Sequence, residues 1–198
     1  QGTAGIDINY LPAREVTQGS SDIIVAVLDH GTQLDHPDLN VSSKSYDTET
    51  GRSPSQIWGN HGTACSGIIS AKTNNNLGVA GIAPNCPVMS ISNQLMGTSD
   101  APQKRADGFN WAWRNGASVI SNSWRSSTFS ELLEDAIQSA MTNGRNGLGC
   151  VVTFSAGNYD SNTVGYPARS LPDIIVVGAL SLSGKRKSST TIDNEGWW

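Results

Sequence analysis

Three side chains in this sequence stand in settings where chemistry can be done: Asp29, His61 and Asn158. Asp29 closes the apolar run Val25-Ala26-Val27-Leu28, at the lip of what reads as a buried strand. An unpaired carboxylate is costly there, so Asp29 calls for a cationic or hydrogen-bonding partner, although a turn cap at a strand end also fits its type. His61 is followed by Gly62, Thr63 and the small residues Ala64, Cys65, Ser66 and Gly67, which let a helix pack closely and hold a first-turn imidazole rigidly. An orienting acid and a general-base histidine are the two parts that an activated serine requires. Asn158 ends the segment Val151-Val152-Thr153-Phe154-Ser155-Ala156-Gly157. It is either a turn-former or a side-chain amide donor to the oxyanion that develops on an attacked carbonyl.

The elements that must position these residues can be read from periodicity. Apolar runs over 23–28, 88–92, 117–121, 150–154 and 174–179 are rich in Val and Ile with little alternation, as expected of strands covered on both faces. Between them, Leu133, Ala136, Ile137, Ala140 and Met141 recur on one helical face until Gly144. Thr128-Phe129-Ser130-Glu131 ahead of that stripe predicts a capping box with Glu131 at the third helical position. A second helix is predicted over 104–115, stopping at Gly116, and a third over 61–70. Alternating strands and helices predict an α/β fold with a mostly parallel sheet and helices on both faces, ligands binding beyond the strands' carboxyl ends.

Length and charge exclude other classes. A chain of 198 residues is most simply one domain, residues 1–198, large enough to bury a core without metal or disulfide staples. With net charge −4 and one short basic run, Lys185-Arg186-Lys187, it has no phosphate-tracking surface, so no nucleic-acid partner is expected. No apolar run approaches the roughly 20 residues of a membrane span, and no signal-peptide pattern follows Gln1. Three cysteines, Cys65, Cys86 and Cys150, allow at most one bridge and match no zinc motif. A composition rich in Gly, Ser and Asn suits a secreted or extracytoplasmic protein.

The chain order Asp29, His61, Asn158 resembles that of the subtilisin-like serine peptidases, the S8-type subtilases. The resemblance extends over nearly the whole chain. Asp35-His36-Pro37-Asp38-Leu39, the stretch from Asn74 to Pro84, the stretch from Asn115 to Trp124 and Gly165-Tyr166-Pro167-Ala168 look like family segments in the family's order. It implies a serine endopeptidase acting through an acyl-enzyme, with Asp29 as triad acid, His61 as general base and Asn158 as oxyanion donor. It also implies that Ser123, Trp124 and Arg125 line the substrate cleft, where the backbone pairs with an extended polypeptide substrate. Arg125 departs from the family's usual Gly, which puts specificity in doubt. A structural Ca²⁺ site is implied at Asp38 with the loop residues Thr73, Asn75, Leu77 and Val79, hard oxygen donors that suit this cation; an Asn-rich turn without metal fits the same residues. Cys65 resembles the free thiol of the proteinase K-like branch, and it also reads as a small buried hydrophobe.

The family's nucleophile sits in Gly-Thr-Ser well after the oxyanion Asn. Ser161, Ser170, Ser181, Ser183, Ser188 and Ser189 follow Asn158 here, and none follows Gly-Thr. Residues 190–198 read like the start of another element, so the expectation is a domain truncated at its C-terminus, with the serine on a segment outside this chain. Self-association through the surface thereby exposed is a further expectation. Gly97-Thr98-Ser99-Asp100-Ala101-Pro102 nearly spells the nucleophile motif, but it precedes Asn158 and carries Asp100 where an apolar residue is expected, so Ser99 is read as a decoy. A metal cluster of Asp29, His30, Asp35, His36 and Asp38 would need a fortuitous loop geometry. The alternative function is a non-catalytic module of the same fold that binds peptides or a partner.

Overall fold

The apolar run that ends at Asp29 forms strand β1, Ile24–Asp29. Five more strands join it: β2 (Tyr46–Asp47), β3 (Val88–Ser92), β4 (Ala117–Asn122), β5 (Val151–Ser155) and β6 (Ile175–Val177). Among the residues described by the computed structural model, 5–158, 163–181 and 183–185, they make one sheet in the order β2-β3-β1-β4-β5-β6. Every neighbouring pair is parallel, as expected from the alternation of strands and helices. The helices are α1 (Tyr10–Val16), α2 (His61–Ser70), α3 (Ala101–Arg114) and α4 (Glu131–Gly147). Arg186, Lys187 and residues 190–198, on which sequence expectations fell, lie outside the described residues.

β1 is central and covered on both sides. Ala26 and Leu28 join the core with Met89, Ile91, Ile120 and Phe154, closed over by Phe109 of α3 and by Leu133 and Ile137 of α4. Val25 and Val27, alternate along the strand, turn to the opposite face, where α2 packs on β1 and β3. Each large side chain removed from water here stabilises the sheet by roughly 1.5–3 kcal/mol, which makes β1 a rigid mount for its last residue. After β3 the chain crosses over β1 to lay down β4 on its other side, so the strand order reverses at β1. Crevices for ligands form at the carboxyl ends of strands at such a point, where Asp29 and Asn122 stand.

The structure corrects several local expectations. Ser130, not Thr128, caps α4: its hydroxyl accepts from Leu133 N at 3.3 Å, and Glu131 is the first helical residue rather than the third. Thr128 is already engaged in a local turn, its N–H donating to Ser126 Oγ at 3.1 Å. The regular part of α4 does end at Gly144, where ψ swings to 161°. α3 starts at Ala101 rather than 104, because Pro102 suits a first helical turn. β6 is shorter than 174–179; among the described residues it is paired on one side only, and Ile175 and Val177 are more than half exposed. α1 went unanticipated because it buries no residue, and β2 because it has only two. Cys65, Cys86 and Cys150 are all free thiols, so Cys86 and Cys150 do not meet. Among the described residues no helix is long and apolar enough to cross a membrane.

Candidate active site

Asp29 is fully buried at the end of β1, and its carboxylate is held from two directions. Oδ1 accepts from its neighbour's backbone, His30 N, at 2.7 Å, and both oxygens face His61 Nδ1, at 2.8 and 2.9 Å. A carboxylate offers only acceptors, so Nδ1 carries the proton and Nε2 is left as the basic nitrogen. The His61 side chain is 52% exposed, against 0% for Asp29. One end of the imidazole is therefore clamped to the sheet while the ring remains open to an incoming group.

The clamp depends on how closely the start of α2 approaches the turn after β1. A Cβ on Gly62 would overlap the Gly31 carbonyl oxygen, so only glycine lets the helix begin there. The small polar residues that the sequence sets after His61 then stitch the two segments together. Gln33 N donates to Thr63 Oγ1 at 3.0 Å and the Thr32 and Ser66 hydroxyls share a 2.6 Å hydrogen bond, while within α2 itself Ser66 Oγ donates to the Gly62 carbonyl at 2.8 Å. On the far side, Trp58 N donates to the His30 carbonyl at 2.7 Å. Trp58 is in turn anchored by its indole N–H on buried Asp47, 2.9 Å away.

Cys65 lies one turn beyond His61, with Sγ 3.7 Å from Nδ1 and 4.0 Å from Nε2, and it donates toward Ser123 Oγ at 3.7 Å. Burial and the Asp29 charge push its thiol above the ordinary range, which disfavours a thiolate nucleophile. Asp29, His61 and Cys65 are, among the described residues, the group of His, Cys, Asp or Glu whose ligand atoms gather within 4.8 Å of one another. Asp35, His36 and Asp38 do not join Asp29 and His30: the Asp35 carboxylate accepts from Gln33, and His36 Nδ1 accepts from Asp38 N.

The other expected residues fall on the same edge of the sheet. Ser123, Trp124 and Arg125 continue from β4, with Ser123 and Arg125 exposed and Trp124 turned inward. The Trp124 ring meets Phe154 edge-on at 5.0 Å and its indole N–H donates to the Leu28 carbonyl at 3.1 Å, so its side chain belongs to the core beneath the site. Asn158 is exposed on the bend that follows β5. Between these segments opens a cleft of about 500 Å³ whose walls include Arg125–Thr128 residues on one side and Ser155, Ala156 and Gly157 on the other. Ser99 is exposed on the turn before α3, where Thr98 Oγ1 donates to Asp100.

Asp38 is 3% exposed and wrapped by the loop that carries Thr73, Asn75, Leu77 and Val79. Asn75 Nδ2 donates to Oδ1 at 2.7 Å and Val79 N to Oδ2 at 3.3 Å. Gly78 has no Cβ that would collide with that carboxylate. No cationic side chain among the described residues forms an ion pair with Asp38.

One lining residue escaped the sequence reading. Arg105, 2% exposed, lies under the cleft on the otherwise apolar face of α3, beside Ala101, Ala106 and Phe109. A charged residue inside a buried stripe was the available signal.

Residues 20–197 match the sequence pattern of the subtilase family, peptidase S8. The chain belongs to the subtilase family. This subtilase is 34% identical to subtilisin NAT of Bacillus subtilis subsp. natto over 181 residues, which is 88% of this chain and 45% of that protein. It is 35% identical to the thermophilic serine proteinase of Bacillus sp. (strain AK1), over 94% of this chain and 44% of that protein. To the calcium-dependent protease of Trichormus variabilis it is 30% identical, over 98% of this chain and 32% of that protein. The chain thus spans less than half the length of these curated relatives. Its fold is similar to that of MycP1 in a crystal structure with the N-terminal propeptide removed, with a TM-score of 0.72 at 20% identity, over 90% of this chain and 62% of that one.

Proposed function

We propose that this chain is the acid- and base-bearing part of the catalytic domain of a subtilisin-type serine endopeptidase, acting on polypeptide substrates. The observation that carries the reading is the clamp of His61 Nδ1 on both oxygens of buried Asp29, at 2.8 and 2.9 Å, with the ring half exposed. In the reaction, a serine Oγ attacks the scissile carbonyl carbon as its proton passes to His61 Nε2. Asp29 holds the ring and stabilises the imidazolium. The carbonyl oxygen becomes an oxyanion, to which the Asn158 amide donates. Collapse expels the amine, which takes the proton from Nε2, and water then cleaves the acyl-enzyme ester by the same path. The matched stretch covers 45% and 44% of two of the relatives, which leaves room in a whole protein of that kind for the serine outside this chain. Residues 1–198 are on this reading one incomplete domain. The backbone of Ser123, Trp124 and Arg125 forms one wall of the peptide cleft, a role supported by its position after β4 at the sheet's carboxyl edge.

What supports a structural Ca²⁺ at Asp38 is a buried carboxylate without an ionic partner among the described residues, held against the loop of Asn75 and Val79, whose N–H groups donate to it here. Asp38, Asn75 and the carbonyls of Thr73, Leu77 and Val79 would hold it. The cation would supply positive charge that ties the loop down. The names of two relatives, calcium-dependent proteases of Trichormus variabilis and Nostoc sp., lend support. A secreted or extracytoplasmic location is in keeping with the composition rich in Gly, Ser and Asn. Self-association of the isolated chain is favoured by the exposed Val151, Ile175 and Val177 on β5 and β6.

The test is peptide hydrolysis by the whole protein with and without His61→Ala. Hydrolysis that disappears in the variant supports the reading, and undiminished hydrolysis refutes it.

A further inference from the structure

The cleft beside Asn158 carries three arginines in its lining, Arg105, Arg125 and Arg169, and no carboxylate among the described residues that line it. In a chain of net charge −4 this is a local concentration of positive charge. Arg105 stands apart from the surface pair because it is 2% exposed. Its guanidinium lies 4.7 Å over the Trp124 ring and donates from Nη2 to the Met96 carbonyl at 3.1 Å, while Nε–H is buried with no acceptor among the described residues. The acid whose charge acts on it, Glu49, is taken up elsewhere, in an ion pair with Lys104 at 2.7 Å and as acceptor of Gln94 N at 2.9 Å. Burying a guanidinium with an unused donor costs stability, and the cost is relieved when an anion enters.

We propose that this cleft is a subsite for a carboxylate side chain of the bound polypeptide, with Arg105 as its buried anchor and Arg125 and Arg169 as its cationic rim. The substrate class is accordingly acidic peptides. The planar fork of an arginine matches a carboxylate in two parallel hydrogen bonds, and the partial desolvation of the cleft strengthens them. The use of the site in catalysis rests on the peptidase reading; the binding itself does not.

Binding is therefore measured on the whole protein carrying His61→Ala, which removes turnover. Calorimetric titration uses peptides acetylated and amidated at their ends, with Glu, Gln or Lys scanned through each position of an otherwise neutral sequence. At one position Glu is expected to bind roughly tenfold or more tightly than Gln, the preference a charge-assisted hydrogen bond provides, with Lys weakest. Arg105→Met is expected to remove most of that preference, and Arg125→Gln, a surface change that leaves the core intact, to reduce it in part. Equal affinity for Glu and Gln at every position, no binding of any peptide, or full preference retained in Arg125→Gln and in a folded Arg105→Met overturns the proposal. Indiscriminate hydrolysis by the active protein would leave the peptidase reading standing and remove this one. Selective binding of Glu by a protein that hydrolyses nothing would do the reverse.

Discussion

Replacing Asp29 by Asn tests the clamp with almost no change of shape. The imidazolium that forms during catalysis would lose a carboxylate whose oxygens lie 2.8 and 2.9 Å from Nδ1. With charge centres about 4 Å apart and an effective dielectric near 20, that attraction is worth about 4 kcal/mol. The ring is half exposed, so solvent screening reduces the figure to about 3 kcal/mol, or roughly two decades in rate. A second loss follows from the hydrogen-bond pattern. His30 N keeps its need for an acceptor, so the amide oxygen turns to it and the amide N–H faces His61 Nδ1. The proton then moves from Nδ1 to Nε2, which turns the base into a donor, and restoring the productive tautomer costs a further ~1.5–3 kcal/mol. The expected fall in kcat is about three to four orders of magnitude with KM little changed. Steady-state kinetics on the whole protein reads the loss, and ¹⁵N-detected NMR of His61 reads the tautomer. A loss below about tenfold, or an Nδ1 that stays protonated in the variant, would refute the reasoning.

Gly62→Ala is expected to destabilise the fold by about 1–3 kcal/mol, because the new Cβ must displace the Gly31 backbone; an unchanged urea midpoint would show that the approach is looser than described. Asp47 is fully buried, and although burial alone raises its pKa, hydrogen bonds from Thr50, Trp58 and Ser92 outweigh it and hold the carboxyl below its usual 3.8. Its contribution to stability is thus present above the unfolded-state pKa and is lost as pH falls through the lower folded-state value. The acid limb of stability below 3.8 is expected to flatten in Asp47→Asn, and a limb identical to that of the parent would count against this. Ca²⁺ at about a hundredfold excess over its Kd is expected to add about 2.7 kcal/mol of stability, read as a rise in Tm over the EDTA-treated protein. Asp38→Asn should abolish the rise, and a parent protein indifferent to EDTA would remove the cation from the account.

Much of the architecture was legible because its causes are local. Val25–Leu28 and the Leu133–Ala140 stripe show their burial in their periodicity, and a parallel sheet follows from their alternation. The short distance between Asp29 and His61 was legible only through motif order, since nothing in the 31 intervening residues states that Gly31 and Gly62 touch. The cap of α4 was misassigned because Thr128 and Ser130 are chemically equivalent caps, and the choice is made by a turn at Ser126 that spacing does not reveal. α1 left no trace because a helix with no buried residue has no apolar stripe. Arg105 was passed over for the opposite reason: its neighbours read as core, and its place under the cleft depends on how α3 packs against Trp124.

The most direct measurement is intact-mass analysis of the whole protein after treatment with a fluorophosphonate probe, with the labelled residue mapped in the parent and in His61→Ala. A single adduct on a serine beyond residue 198 that disappears when His61 is replaced is the expected result. An adduct on Ser99, or labelling that is indifferent to His61, would contradict the assignment of Asp29 and His61 as the acid and base that activate the nucleophile.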